Sequence, residues 1–349
     1  MQARGTSKAI QDNVLVVIVN FRVGPLVVDC LRSLKPEVAA LPGTRVVVVD
    51  NCSNDGSVEL IASAIESEGW SDWAELQQCE VNGGFSWGNN HAVRPVIRSE
   101  HPPAYFWLVN PDTQIRAGAL RALVDFMNGH PRVGIAGSSL ETSNGTLWPF
   151  AFRFPSIWSE LENGLRLGVV SALLKSRVVA RRMSDQPAQV DWLPGASMMI
   201  RREVFDVVGL MDEDYFLYFE ETDFCLQARK AGWQCWYVPQ SRVMHLAGQS
   251  TGVTGKRTVA RRLPKYWFDS RRRYFTKNHG RLYAALTDLV WAISFLVWRV
   301  RRRVQGKSDP DPPHLLADFL ENSAIVNAGI PCNPVAVASS RELSRFEAR

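Results

Sequence analysis

The sequence predicts an α/β protein with a mostly parallel central sheet and helices on both faces. Short β-branched runs alternate with segments whose apolar residues recur at helical spacing, the pattern of successive βαβ units. Three of the runs stop at polar groups, Asn20, Asp50 and Asp112, and a glycine-rich loop at 82–84 precedes the last of them. Ligands of open α/β sheets bind beyond the carboxyl ends of the strands. Three polar strand ends and such a loop point to a nucleotide site rather than to turn chemistry alone.

The elements follow in order. Residues 14–20 are a β-branched strand, and Gly24-Pro25 opens a helix with apolar positions at Leu26, Cys30, Leu31 and Leu34. Pro36 is expected to break that helix. Residues 45–50 form the second strand. The polar turn 51–57 holds an N-cap candidate, Asp55, and Val58, Ile61, Ala64 and Ile65 give the next helix one apolar face. A weaker strand near 76–80 leads into the loop. Residues 105–109 are apolar throughout, as expected of a strand buried on both faces. Pro111 lacks a backbone N–H and ends it, leaving the Asp112 carboxylate just beyond.

A helix at 118–128 and a strand at 133–137 come next, and beyond about Asn144 the alternation weakens. Residues 190–201 regain strand character around the Pro194-Gly195 turn. The segment 216–226 sets aromatic residues against Glu220, Glu221 and Asp223, then continues as a helix to Gly232. Residues 233–238 read as a strand closed by Pro239, with 243–246 a separate short apolar piece carrying His245.

Apolar content of 46% and charged content of 21% describe an ordinary globular chain, and 349 residues suffice for one large domain or two small ones. The net charge of +5 is unevenly spread: residues 256–307 hold fifteen Lys/Arg against two acids, a local +13 that leaves −8 elsewhere. The six cysteines form no CxxC pair and no framework spacing, so a reducing cytosol is expected. Residues 1–13 are polar without an apolar core, so a secretory signal is not expected. No recognised nucleic-acid motif accompanies the basic segment, and nucleic acid is not expected as a partner.

Six segments carry the chemistry: Val48-Val-Asp-Asn-Cys-Ser-Asn-Asp-Gly-Ser57, Asn82-Gly-Gly-Phe-Ser-Trp-Gly-Asn-Asn90, Asn110-Pro-Asp-Thr113, Pro194-Gly-Ala-Ser-Met-Met-Ile-Arg-Arg202, Tyr218-Phe-Glu-Glu-Thr-Asp-Phe-Cys-Leu226 and the His245 segment. In this order they resemble the inverting family 2 glycosyltransferases of the GT-A fold, especially the rhamnosyltransferase-like branch, over residues 13–250. The resemblance implies a nucleotide-sugar-binding half at 13–140 and an acceptor-binding half at 141–250. A basic, amphipathic helical region at 251–307 and a loosely ordered tail at 308–349 are expected to follow.

The resemblance implies donor contacts from Asn20, Asp50, Asn82, Gly83, Gly84, Asn89, Asn110 and Asp112. Asp50 matches a carboxylate that accepts the N3–H of uracil or thymine. Asp112 matches the last aspartate of the family's metal-binding DXD motif, and its first position here is the neutral Asn110. His245 matches a further metal position, although alone a histidine between Met and Leu reads as core. Mg²⁺ or Mn²⁺ suits such a site, since both prefer oxygen ligands and commonly use one or two carboxylates plus substrate phosphates. The family's base is an aspartate second in its acidic run. Here that position is Glu221, one methylene longer, with Glu220, Trp192, Gly195 and Ala196 on the acceptor side. Asp223 is expected to support the helix start.

Residues 282–298 are almost wholly apolar apart from Asp288, and arginines follow. An interfacial helix is the favoured reading, with Trp291 and Trp298 at headgroup level and Arg299, Arg301, Arg302 and Arg303 on anionic lipid, and the basic run 256–277 supports surface attachment. A short transmembrane anchor and the buried helix of a homo-oligomer compete with it. The expected function is metal-dependent, inverting transfer from a nucleotide-diphospho-sugar, first dTDP-rhamnose, to a lipid-linked or polymer saccharide at the cytoplasmic membrane face. Alternatives are a UDP-sugar transferase (galactofuranose or N-acetylhexosamine) and a catalytically silent membrane-docked binding module.

Overall fold

The computed structural model describes residues 13–148, 150–246 and 261–335. The chain begins β1 Val14–Asn20, α1 Gly24–Ala40, β2 Arg45–Asp50, α2 Ser57–Ser67, β3 Ala74–Gln78, α3 Phe85–Val93, β4 Tyr105–Val109, β5 Thr113–Ile115, α4 Ala119–Gly129 and β6 Val133–Glu141. It continues through β7 Leu147–Trp148, β8 Phe150–Phe152, α5 Ile157–Leu165, α6 Gly168–Leu173, β9 Ala180–Arg182, β10 Ala188–Val190, β11 Ser197–Arg201, α7 Arg202–Val208, α8 Glu220–Lys230 and β12 Gln234–His245. Three helices close it: α9 Lys265–His279, α10 Arg281–Val304 and α11 Leu315–Glu321.

The main sheet runs β10-β12-β6-β11-β4-β1-β2-β3, with β5 on β12 and β7 on β6. Pairings around β1, β2, β3 and β4 are parallel, as the alternation predicts. Strand β11 enters antiparallel between β4 and β6, so the sheet is mixed in its second half. Successive residues of one strand feed opposite cores. Val16, Ile18 and Trp107 pack with Leu31, Leu34 and Leu123 on one face, whereas Val17, Phe106 and Leu108 pack with Ile200 and Phe224 on the other. Apolar runs without alternation are what burial on both faces demands.

Two prolines behave differently from expectation. Pro36 does not break α1, which continues to Ala40. It lies on the exposed side of the helix, where water can serve the carbonyl it leaves without a donor. The turn beyond it is pinned, because the Glu37 carboxylate accepts hydrogen bonds from the backbone N–H groups of Gly118 and Leu120 at 2.7 and 2.8 Å. Pro239 does not close a strand either. It falls where the β6–β12 register shifts between Val238 and Arg242, so the missing N–H removes no ladder bond and β12 runs on to His245.

The C-terminal region requires the largest correction. Trp291 and Trp298 do not face outward; they are 6% and 8% exposed and pack with Phe268, Phe295 and Phe319. Asp288, which interrupts the apolar run, is buried and pairs with Arg271, whose other arm reaches Glu160 of α5 at 2.7 Å. Much of the described part of the basic run is engaged in internal pairs, Arg262 with Asp318, Arg273 with Asp212 and Asp214, and Lys277 with Asp212 and Asp223, whereas Arg261 is exposed. Residues 256–260 lie outside the described part. The tail expected to be loose instead forms α11, with Leu315 and Phe319 buried, while residues 336–349 lie outside the described part.

Candidate active site

The turn after β4 is built by its sequence. The Thr113 hydroxyl donates to the Asn110 carbonyl at 2.7 Å and closes the turn around Pro111. Strand β5 pairs with the end of β12, placing Thr113 opposite His245, and the Leu246 N–H donates to the Asp112 carbonyl at 3.0 Å. Two segments 133 residues apart in sequence thus bring His245 Nε2 within 3.2 Å of the buried Asp112 carboxylate. His245 Nδ1 is buried and has no hydrogen-bond partner among the described residues. One carboxylate oxygen and one imidazole fit a divalent cation whose remaining ligands come from a diphosphate. The described residues form no cluster of three or more potential metal ligands, so diphosphate is a required part of that fit.

The acidic pair sits at the first turn of α8. Tyr218 and Phe219 precede it with φ of 71° and 68°, a left-handed pair of bulky residues costing about 1–3 kcal/mol each. Glu221 Oε1 accepts the Gly195 N–H at 2.9 Å. A Cβ at 195 would come within 2.5 Å of the Phe85 ring and 3.0 Å of Glu221 Oε1, so any larger residue would displace both side chains. Burial raises the Glu221 carboxyl above its ordinary value. Glu220 is 2% exposed, and burial together with the Glu221 charge raises it further. Its Oε2 has no hydrogen-bond partner among the described residues.

Ala196, next to Gly195, joins this pair to the other end of the site. Its carbonyl accepts the Asn110 N–H at 3.2 Å, one residue from where β11 pairs with β4. A dipeptide therefore holds the Asn110-Pro-Asp112 turn with one residue and the Glu221 carboxylate with the other.

Asn20 and Asp50 end adjacent strands in register. Asp50 is fully buried and accepts from Asn20 Nδ2 at 2.6 Å, from Ser53 Oγ at 2.6 Å and from the Ser53 N–H at 2.9 Å. The glycine loop is a junction. Asn82 accepts the Gly84 N–H at 3.0 Å, Asn51 donates to the Gly84 carbonyl at 2.9 Å, and Phe85 N–H donates to the Phe216 carbonyl at 2.9 Å. Gly84 has φ +91°, and a Cβ there would lie 2.0 Å from the Phe216 carbonyl oxygen; a Cβ on Gly83 would lie 2.3 Å from Trp87. Asn89 turns back to donate to the Phe85 carbonyl at 2.9 Å.

A family model described as glycosyltransferase-like family 2 matches residues 11–263. The chain belongs to this family. It is a glycosyltransferase with the GT-A fold. It is 29% identical over 247 residues to N-acetylglucosaminyl-diphospho-decaprenol L-rhamnosyltransferase of Mycobacterium tuberculosis, covering 68% of this chain and 77% of that one. It is 26% identical over 167 residues to a rhamnosyltransferase of Escherichia coli, covering 47% and 61%. A solved structure of GalNAc-T7 with UDP, GalNAc and Mn²⁺ superposes with a TM-score of 0.54 at 16% identity, over 85% of this chain and 55% of that one. That last likeness is one of fold.

The other expected positions of this glycosyltransferase divide. Trp192 is stacked on Phe152 at 4.4 Å and packs against the core on that side of the sheet, and its Nε1 donates to the Arg153 carbonyl at 3.0 Å. Asp223 lies in the first turn of α8, where a carboxylate favours the helix start, although no side chain among the described residues caps that start by a hydrogen bond. Asp223 also ties that helix to α9, accepting from Lys277 at 2.6 Å and Asn278 at 2.7 Å. Asp55 does accept the Ser57 N–H at 3.1 Å at the start of α2, although Gly56 occupies the N-cap. Sequence reasoning missed Asn51, Ser53, Phe216 and Asn333. The first two lie inside the 48–57 motif and were open to notice. Asn333 donates to the Gly83 carbonyl at 2.8 Å from 250 residues away, and nothing local in the chain announces it.

Proposed function

We propose that this glycosyltransferase moves rhamnose from dTDP-rhamnose, with inversion, to a lipid-linked saccharide at the cytoplasmic face of the membrane. The observation that carries the mechanism is the Gly195-Ala196 link, which fixes the Asn110–Asp112 turn and the Glu221 carboxylate relative to one another. The named activity of the mycobacterial relative supports the sugar and the diphospho-lipid acceptor. Ionised Glu221 takes the proton of the acceptor hydroxyl as that oxygen attacks the anomeric carbon, and the nucleoside diphosphate leaves from the opposite face. Burial and the neighbouring Glu221 charge both favour the protonated form of Glu220. Asp112 and His245 would hold a divalent cation, Mn²⁺ or Mg²⁺, which when bound neutralises charge on the leaving diphosphate. Asp50, Asn20 and the 82–84 loop seat the nucleotide.

Transfer assays with a panel of dTDP- and UDP-sugars test the reading. Glu221→Gln is expected to lower transfer by about 10²–10⁴ while donor affinity stays unchanged, and Glu220→Gln to lower it far less. Asp112→Asn should weaken donor binding in Mn²⁺ but not in EDTA. A reversed order of the two glutamates moves the base to Glu220. Turnover of UDP-sugars alone would replace the donor, and turnover of none would leave a binding module.

A further inference from the structure

We propose that the outer face of α10 docks on a leaflet of anionic phospholipid and lies along it without crossing, with a basic pocket at its C-terminal end taking the headgroup phosphate. The proposal rests on the lipid-linked acceptor of the proposed function. Among the described residues α10 is the one helix long and apolar enough to cross a membrane. Packing argues against a crossing. Its inner face buries Asp288, Thr287 and Ser294 against α5 and α9, and a span would carry the Asp288–Arg271–Glu160 ion cluster toward hydrocarbon.

The outer face has no such partners. Leu282, Leu286, Leu289, Ile293, Leu296 and Val300 recur at intervals of three or four and are each at least 46% exposed. At 1.5 Å per residue the stripe is about 27 Å long. The end of α5 is held to the end of α10 by Arg301, which donates to the Leu165 and Arg166 carbonyls at 3.1 and 3.0 Å, and α6, which follows directly, exposes Val169 and Leu173. An apolar surface of this extent marks an interaction site.

Charge selects the occupant. Arg299, Arg302, Arg303, Lys307 and Asp309 line a pocket of about 370 Å³, with Val300 of the stripe in its wall. Asp309 pairs with Arg302 and, at 3.4 Å, with Arg299. Arg303 and Lys307 have no ion pair among the described residues. Four cations against one acid, beside an apolar stripe, match a helix lying in the interface of an anionic leaflet.

Flotation of the full chain with phosphatidylcholine vesicles, with and without phosphatidylglycerol, tests this. Binding is expected only with phosphatidylglycerol and should fall with salt. Arg303→Ala with Lys307→Ala should weaken it about 25-fold, at roughly fivefold per cation. Ile293→Ser with Leu296→Ser should weaken it at least about tenfold. Donor hydrolysis by both variants should match the parent, which also excludes misfolding. Parent-like vesicle binding by either variant would overturn the proposal. So would release by inorganic phosphate at constant ionic strength, which would make the pocket a site for free phosphate. Retention in carbonate-washed membranes until detergent is added would indicate a span, and a dimer abolished by Ile293→Ser with Leu296→Ser would assign the stripe to a second copy. The flotation uses neither donor nor acceptor sugar, so a different donor would leave its result standing.

Discussion

Glu220 and Glu221 are neighbours in sequence and opposites in setting. Adjacent positions on a helix do not share a face, so one carboxyl turns inward and the other toward Gly195. Burial raises both, and Glu220 additionally feels the Glu221 charge. A general base works only when ionised. A raised base is therefore protonated, and silent, at pH values where an ordinary glutamate is active. The acid limb of kcat for transfer is expected to lie above the usual glutamate value of about 4.3. A limb at or below that value in the pH–rate profile would mean that Glu221 is solvated or is not the base. The acidic run itself was legible in the sequence. The inequality of its two members was not, because it depends on which side chain meets the Gly195 N–H from another element.

At the scale of elements, the C-terminal helices are fastened to the catalytic domain by charge. Asp212 would be raised by its burial, but the hydrogen bond from Lys277 and the charge of Arg273 hold it below the ordinary aspartate range. A carboxyl lowered by folding contributes stability above its unfolded value, and that contribution is lost as pH falls. Docking of α9 should loosen below about pH 4, observable as faster amide exchange in 265–279. The Arg271 cluster predicts a larger effect. Asp288→Ala leaves a buried guanidinium with one partner fewer and removes the acceptor of the Ala324 N–H, at 2.7 Å. A loss of about 3–5 kcal/mol in urea denaturation is expected. A loss under about 1 kcal/mol would mean that α10 packs by its aromatic residues alone.

For the whole molecule, the basic segment that the sequence sets apart by charge is structurally part of the enzyme. Tyr215 and Leu226 of the catalytic domain share a buried cluster with Tyr274, Phe275 and Ala284. Asn333 reaches the glycine loop. Ending the chain after Leu246 should therefore expose this cluster, lower Tm by many degrees and weaken donor binding, as calorimetry and nucleotide titration would record. A fragment melting like the parent would make the C-terminal helices an independent unit.

The strands ending at Asn20, Asp50 and Val109, the helices between them and the edge they share were readable from periodicity alone. Each depends on a pattern only a few residues long, and β1, β2 and β4 lie where those patterns place them. The acidic run and the His245 segment were readable as motifs. The pairing of His245 with Asp112 needed β12 to continue past Pro239, and no local propensity encodes which strand will accept a proline at its irregularity. The face of α10 was likewise undecided in one dimension. Tryptophans and leucines alternate around the helix, and either set serves an interface. Only the presence of α5, α9 and α11 on one side buried Trp291 and Trp298 and left the leucines outside. Local spacing determines which elements form; which side of each is covered depends on neighbours brought from distant parts of the chain, and that the tertiary structure alone decided.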